Sequence, residues 1–292
     1  MKYRLPTKAI ITDAGCASRF LPLTKTIPKA MLPLGNKPIM QLVVEECIVA
    51  GIEEIIIVAT TKGRPLYDDY FHDPATAISD LMTRQGKEDR FVPVAEVLNF
   101  PKITVIEQDP SLPYGNGSPI ASARDFIEDD EAFVVAYSDD VVFGNSDIKT
   151  LIDSYATHPD AEAIIVAQEM PQDVLDRYGI VKLKDGTDML LDHIVEKPAP
   201  ADAPSNLASY GRYLLTPRIF DYLKPGQTGL DGELWTVDAI TAIAESSPVY
   251  VEKTSGRWLT TGDPKNYSIA LAQYILEHES YADEVRDFVR QH

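Results

Sequence analysis

The sequence predicts an α/β fold: an open, mostly parallel sheet flanked by helices. Three observations support this. Short apolar runs recur along the chain, and segments of helical period separate them. The first apolar run also breaks into small residues where a ligand loop would start. That run is KAIITDA, from Lys8, and KPIMQLVVEECIVAGI follows it with helical spacing, ending near Gly51. EEIIIVATT reads as the second strand and RPLYDDYF as a charged helix. KITVIEQ, AFVVAYS, AEAIIVAQ and ASYGRYLL read as further strands. Helices are expected at SPIASARDFIED, SDIKTLIDSYATH and PRIFDYLK. A helical excursion is expected near 73–101 and a C-terminal helical segment near 265–291. No repeat or linker interrupts the chain, so the expectation is a single domain, 1–292. Sheets of this kind bind ligands beyond the C-terminal ends of their strands.

Composition narrows the function classes. The chain has 292 residues, 45% hydrophobic and 25% charged, which is ordinary for a globular protein. No apolar run approaches the roughly 20 residues of a membrane span, so no membrane partner is expected. MKYRLPTKAIITDAG lacks the apolar core of a signal peptide, and Cys16 and Cys47 imply no disulfide framework. A cytoplasmic protein is expected. A net charge of −18 would repel a polyanion, which argues against nucleic acid as partner. A small anionic substrate remains compatible where positive charge gathers locally.

Such a gathering occurs in TDAGCASRFLPLTKTIPKAMLP, residues Thr12 to Pro33, where Arg19, Lys25 and Lys29 follow the first strand. Backbone N–H groups around Ala14 and Gly15, with the Ser18 hydroxyl, can form an anion nest. Arg19 can grip phosphate oxygens through paired N–H groups, and the two lysines add charge. The same residues read equally as a plain strand-to-helix turn with solvated lysines. No P-loop pattern occurs.

These residues resemble the signature of sugar nucleotidyltransferases, a Gly-rich turn ending in Arg followed by P-x-T-K and P-K-x-M-L-P. Within that group the chain is most similar to bacterial UTP–glucose-1-phosphate uridylyltransferases. SDDVV, YGIV, IVEKP, PSNLASYGRYLLTPRIF, DGELWTVDAI and TGDPKNY follow in the family's order, so the resemblance covers nearly the whole chain. It implies a Rossmann-like, mixed but mostly parallel sheet, the nucleotide-diphospho-sugar transferase fold. The implied reaction is attack of glucose 1-phosphate on the α-phosphorus of UTP, giving UDP-glucose and pyrophosphate. Mg2+ would be the cofactor, and a homodimer or homotetramer the assembly. Two alternatives stay open: a related transferase using another nucleotide or sugar phosphate, such as dTTP, and a non-catalytic sugar-nucleotide-binding paralogue.

The resemblance also assigns residues. Arg19, Lys29 and Lys197 would be catalytic. Ala14, Gly15, Ser18, Lys25, Gln108, Gly115, Gly117 and Asp139 would bind the nucleotide. Gly179, Glu196, Lys197 and Glu233 would hold the sugar phosphate, and Asp139 with Asp263 the metal. Two carboxylates with phosphate oxygens and waters suit Mg2+, which rarely has an all-protein cage. Asp238 reads equally as a ligand or a helix-start residue. Several positions depart from the family pattern. Ala17 stands for a glycine, Ser18 for a threonine, Asp13 for a small residue and Ser138 for a glycine. Ala30 replaces a glutamate, and Trp235 and Val237 replace Gln and Thr. YGNGSPI also replaces a G-L-G-H-A-V run. The charged residues persist while their surroundings change.

Overall fold

The computed structural model describes residues 2–229 and 232–291. The first strand, β1 (Lys8–Asp13), runs into three single turns of 3-10 helix at Ser18–Phe20, Leu23–Lys25 and Lys29–Met31. A small ribbon, β2 (Pro33–Leu34) with β3 (Lys37–Pro38), leads into α1 (Ile39–Val49). α1 buries Met40, Val43, Val44 and Cys47, which recur at helical spacing, and this is the face its sequence pattern marks. Then come β4 (Glu54–Ala59), α2 (Arg64–His72), α3 (Thr76–Arg84), α4 (Val92–Leu98) and β5 (Lys102–Glu107). The excursion expected near 73–101 therefore holds two helices. α3 buries no residue and α4 only Val97, which explains why their sequence carries little core pattern.

The chain continues through α5 (Gly117–Ser122), β6 (Phe133–Tyr137), β7 (Asp140–Phe143), α6 (Asp147–Thr157) and β8 (Ala163–Glu169). Next are β9 (Gly179–Leu183), β10 (Leu191–Glu196), β11 (Leu207–Leu215) and α7 (Thr236–Ala244). β12 (Val249–Lys253), β13 (Arg257–Thr260), α8 (Pro264–His278) and α9 (Ala282–Gln291) complete it.

Among the described residues, nine strands form one mixed sheet. β5, β4, β1 and β6 lie side by side and parallel, with Ile10 of β1 between Ile56 and Val135. β4, β1 and β6 are buried on both faces and read as continuous apolar runs, whereas the edge strand β5 buries only Ile103 and Val105. β11 adds antiparallel to β6, then pairs with β8, which pairs in parallel with β12. On the edge that later meets β6, the first half of β11 pairs with β9, the partner of β10, while its other edge stays on β8.

That change of partner creates the site. β11 meets β9 at Ala208 and Ser209 and meets β6 from Arg212 onward, leaving Tyr210 and Gly211 in between. A notch opens there at the C-terminal end of β6. A Cβ at Gly211 would fall 2.2 Å from Cγ of Tyr137, so the Tyr137 ring is packed onto bare backbone. Buried Arg212 fixes the turn beyond β6. Its Nη1 donates to the Tyr137 carbonyl at 3.3 Å and its Nη2 to the Asp140 carbonyl at 2.7 Å, bracketing Ser138 and Asp139. Its Nε and Nη2 also donate to Glu46 Oε2 at 3.0 and 2.8 Å, tying the turn to α1.

The six strands read from the sequence are present, while β2, β3, β7, β9, β10, β12 and β13 are additions. β9 and β10 form a short hairpin in which half-buried polar residues interrupt the apolar pattern. PRIFDYLK forms only a 3-10 segment at Pro217–Asp221. The C-terminal helical stretch breaks at Glu279, whose backbone is extended, into α8 and α9.

Candidate active site

The loop after β1 lines a cavity of about 430 Å³ together with Thr60–Gly63. Gly15, Cys16, Ala17, Ser18, Lys25 and Lys29 all face it, whereas Arg19, expected on the same phosphates, lines a larger cavity and Ala14 a smaller one. Ala17 sits in the left-handed region, φ 46° and ψ 45°. Its carbonyl accepts from the Phe20 N–H at 3.0 Å and from Thr24 Oγ1 at 2.9 Å, which holds that conformation. The glycine usual in the family would suit the position better. A left-handed L-residue costs about 1–2 kcal/mol. Glycine loses roughly 0.5–1 kcal/mol of that gain through its unfolded-state freedom. Ala17→Gly is therefore expected to stabilise the protein by up to about 1 kcal/mol, read as a higher midpoint in urea unfolding.

Lys29 and Asp139 meet at the centre of the site. Lys29 Nζ lies 2.5 Å from Asp139 Oδ2. Burial works against both charges, but each outweighs it for the other. Lys29 is held above its ordinary value by Asp139 and Asp13, and Asp139 below the usual carboxylate range by Lys29. Asp140, next in sequence, is pushed up by burial and then by the Asp139 charge. Its carboxylate accepts from Trp258 Nε1 at 2.7 Å and from the Gly211 N–H at 3.0 Å, a structural use.

Asp263 approaches Asp139 through the loop between β13 and α8. The Thr261 N–H and Oγ1 donate to the Asp139 carbonyl at 2.6 and 2.9 Å. A Cβ at Gly262 would fall 3.1 Å from Asp139 Oδ2. Asp263 also caps α8, accepting from the Asn266 N–H at 3.0 Å and from Asn266 Nδ2 at 2.6 Å. Asp139, Asp263 and Arg19 line one cavity of about 630 Å³. Two carboxylates on adjoining loops, with only oxygen donors, fit a hard divalent ion that takes its other ligands from phosphate and water.

The far end of that cavity is built by the β9–β10 hairpin. Gly179, Glu196, Lys197, Ser209 and Tyr213 line it, with Tyr178 and Trp235. A Cβ at Gly179 would fall 3.0 Å from Glu196 Oε2, so a side chain here would press on that carboxylate. Lys197 has φ +46°, and its N–H donates to the Tyr178 carbonyl at 3.0 Å. Its Nζ lies 3.3 Å from Glu196 Oε1.

A third cavity, about 240 Å³, takes Ala14, Gly15, Gln108, Gly115, Asn116, Ser138 and Trp235. Gly115 has φ +137°, and a Cβ there would meet the Leu234 carbonyl oxygen at 2.3 Å. Two expectations shift here. Glu233, expected on the sugar side, lines this cavity and not the larger one. Gly117 is buried, its N–H donates to the Leu234 carbonyl at 2.8 Å, and it lines none of the three cavities. It is a packing position under α7. Asp238 falls in the first turn of α7, as its helix-start reading implies. Asp231, which opens DGELWTVDAI, lies outside the described residues.

The three cavities share walls. Asp139, Tyr137, Asn116 and Trp235 border the 630 and 240 Å³ cavities, and Asp13, Gly15 and Lys29 border the 240 and 430 Å³ ones. The Lys29–Asp139 pair thus stands where all three converge.

Two of the departures from the family pattern meet in one buried cluster. Asp13 accepts from Ser138 Oγ at 2.8 Å and from the Tyr67 hydroxyl. Tyr67 belongs to α2, and no sequence signal links it to β1. Burial pushes the Asp13 carboxyl up to about 6, although Lys29, Tyr67 and Ser138 each favour its charge. Because this folded value exceeds the unfolded one, the folded state holds an extra proton between about pH 4 and pH 6. Stability is therefore lost as pH rises through that window, by roughly 3 kcal/mol, and stays lower above it. Asp13→Asn should remove this dependence and raise the melting temperature at pH 8 more than at pH 4.5, measured by calorimetry.

Comparison with known proteins agrees with this geometry. The family model described as nucleotidyl transferase matches residues 8–277. The chain is 38% identical to UTP–glucose-1-phosphate uridylyltransferase 2 of Staphylococcus saprophyticus, over 97% of this chain and 96% of that protein. It is 37% identical to the Staphylococcus haemolyticus UTP–glucose-1-phosphate uridylyltransferase, over 97% of each. Among solved structures, UTP-bound UGPase of Acinetobacter baumannii superposes with a TM-score of 0.86 at 28% identity, covering 97% of this chain and 98% of that one. A UDP-glucose pyrophosphorylase complexed with UDP-glucose gives 0.80 at 29% identity, covering 94% and 100%. The chain belongs to the nucleotidyl transferase family and, within it, to the UTP–glucose-1-phosphate uridylyltransferases.

Proposed function

We propose that this protein transfers the uridylyl group of UTP to glucose 1-phosphate, releasing pyrophosphate. The observation that carries this reading is the Lys29–Asp139 pair, 2.5 Å apart where the phosphate, base and sugar cavities converge. An oxygen of glucose 1-phosphate attacks the α-phosphorus as the bond to pyrophosphate breaks, so no covalent enzyme intermediate is needed. Catalysis then consists of alignment and stabilisation of charge.

Each group has a place in that alignment. Lys25 and Lys29 neutralise the triphosphate, the Ser18 hydroxyl donates to it, and Arg19 faces the reacting centre from the larger cavity. Gln108 and the backbone of Ala14, Gly15 and Gly115 read the base. Glu196 accepts from sugar hydroxyls, Gly179 lets the ring approach the backbone, and Lys197 meets the sugar's phosphate. Asp139 and Asp263 would hold Mg2+, which supplies Lewis-acid stabilisation of the phosphate oxygens. The protein is a homo-oligomer, as the resemblance implies, and works in the cytoplasm, as its two cysteines and N-terminal sequence lead us to expect. Exposed Val49 and Val289 are compatible with that assembly, and size-exclusion chromatography tests it.

A nucleotide panel tests the function. With glucose 1-phosphate and Mg2+, pyrophosphate release should be fastest with UTP, with dTTP next because it adds only a methyl. CTP and ATP should fall behind by at least about 100-fold, since a site bonded to one base leaves groups unpaired against another. Excess chelator should abolish release, and Mg2+ should restore it. Equal rates with ATP, or full activity in chelator, would overturn the reading.

A further inference from the structure

Trp235 stands where the resemblance places a glutamine, and its surroundings give the exchange a purpose. Its backbone precedes α7, and Asn116 Oδ1 accepts from the next N–H, that of Thr236, at 2.8 Å. The indole is partly buried against the main hydrophobic core, so its orientation is fixed by packing. It lines both the 630 Å³ cavity, with Gly179 and Glu196, and the 240 Å³ cavity, with Gln108. Trp235 thus forms part of the wall between the sugar side and the base side. An amide there would offer a donor and an acceptor, whereas an indole offers one N–H and a broad, flat aromatic face.

That face carries a positive charge in the ligand-free protein. Lys197 Nζ lies 4.8 Å from the ring centroid. The Lys197 side chain is half exposed, and the Glu196 carboxylate lies 3.3 Å from its ammonium. An ammonium rests on an aromatic face because the ring quadrupole is negative there. A pyranose ring presents C–H groups polarised by the adjoining oxygens, a weaker form of the same partner. A phosphate dianion attracts an ammonium more strongly than an aromatic face does. A sugar phosphate entering this cavity would therefore draw Lys197 off the indole and expose the face to the sugar.

We propose that Trp235 is a specificity-determining platform on which the pyranose ring of an aldohexose 1-phosphate seats, with Lys197 resting on the same face until the phosphate draws it away. The proposal rests on the uridylyl-transfer reading above and adds to it a residue that the family pattern does not supply.

The test compares the full-length enzyme with Trp235→Gln and Trp235→Phe, using inorganic phosphate as an inhibitor competitive with glucose 1-phosphate. Trp235→Gln should raise KM for glucose 1-phosphate about tenfold. kcat and KM for UTP should stay within about twofold, because the contact is uniform through the reaction. The inhibition constant of phosphate should hardly move, since phosphate uses Lys197 and not the platform. Trp235→Phe keeps an aromatic face against the core and should recover most of the affinity. An unchanged KM in a Trp235→Gln protein with normal circular dichroism would overturn the platform. So would an equal loss for phosphate and sugar phosphate, which would assign Trp235 to placing Lys197 alone. If the unaltered enzyme made no product from glucose 1-phosphate, the proposed function itself would fail. Normal turnover with an unmoved variant would leave that function standing and remove only this inference.

Discussion

Asp139→Asn is expected to lower kcat by about 1,000-fold while leaving KM for glucose 1-phosphate within a few-fold. The asparagine keeps the shape of the side chain and loses its charge, so the effect isolates electrostatics. Asp139 carries its negative charge despite burial because Lys29 lies 2.5 Å away. Its carbonyl is anchored by Thr261 and its flanking carbonyls by Arg212, so the turn should survive the substitution. The charge matters most when negative charge moves toward pyrophosphate, and a group acting only then changes kcat rather than sugar binding. Steady-state kinetics, with circular dichroism as the folding control, make the check. An equal rise in KM with kcat preserved would assign Asp139 to substrate binding alone.

Lys29→Ala should cost at least about 1,000-fold in product formation, the second large effect expected. Lys29 borders both the phosphate and the base cavities and is held charged by two carboxylates, Asp139 and Asp13. Its removal leaves those carboxylates facing the triphosphate without a cation between them, so repulsion adds to the lost attraction. Arg19→Ala should be nearly as severe, because Arg19 lines the reacting cavity with Asp139 and Asp263. Lys25 is exposed at the rim of the phosphate cavity, and Lys25→Ala should cost no more than about tenfold. Similar losses at Lys25 and Lys29 would contradict the central placing of Lys29.

How much of this could be read beforehand differs from element to element. β1, β4 and β6 announce themselves because both their faces are buried and their residues are largely apolar, and β5 because Ile103 and Val105 alternate with more exposed residues. β9 and β10 do not, because a short, half-buried hairpin built around functional residues has no periodic signal. The charged residues of the site were legible through the family resemblance, since Arg19, Lys29, Asp139, Lys197 and Asp263 stand in ordered motifs. Spacing alone left the opening turn ambiguous. The contacts between distant segments were not legible. Ser138 reaches Asp13 because β6 pairs beside β1, and Tyr67 reaches it from α2, so two separate departures from the family pattern become one cluster only in three dimensions. Ala17 is the reverse case. Its glycine-like position could be suspected from the motif, and its φ of 46° bears that out. Gly117 shows the limit of motif transfer, because its place in a matching segment reflects packing against Leu234.

Phosphorus NMR of the protein mixed with UTP, glucose 1-phosphate and Mg2+ follows both substrates and both products of uridylyl transfer at once. The two substrate signals should fall together while a sugar-nucleotide diphosphate and pyrophosphate rise in equal amounts, and no pyrophosphate should form when the sugar phosphate is omitted. Pyrophosphate or phosphate released from UTP at the same rate without glucose 1-phosphate would contradict uridylyl transfer, as would two unchanged substrates.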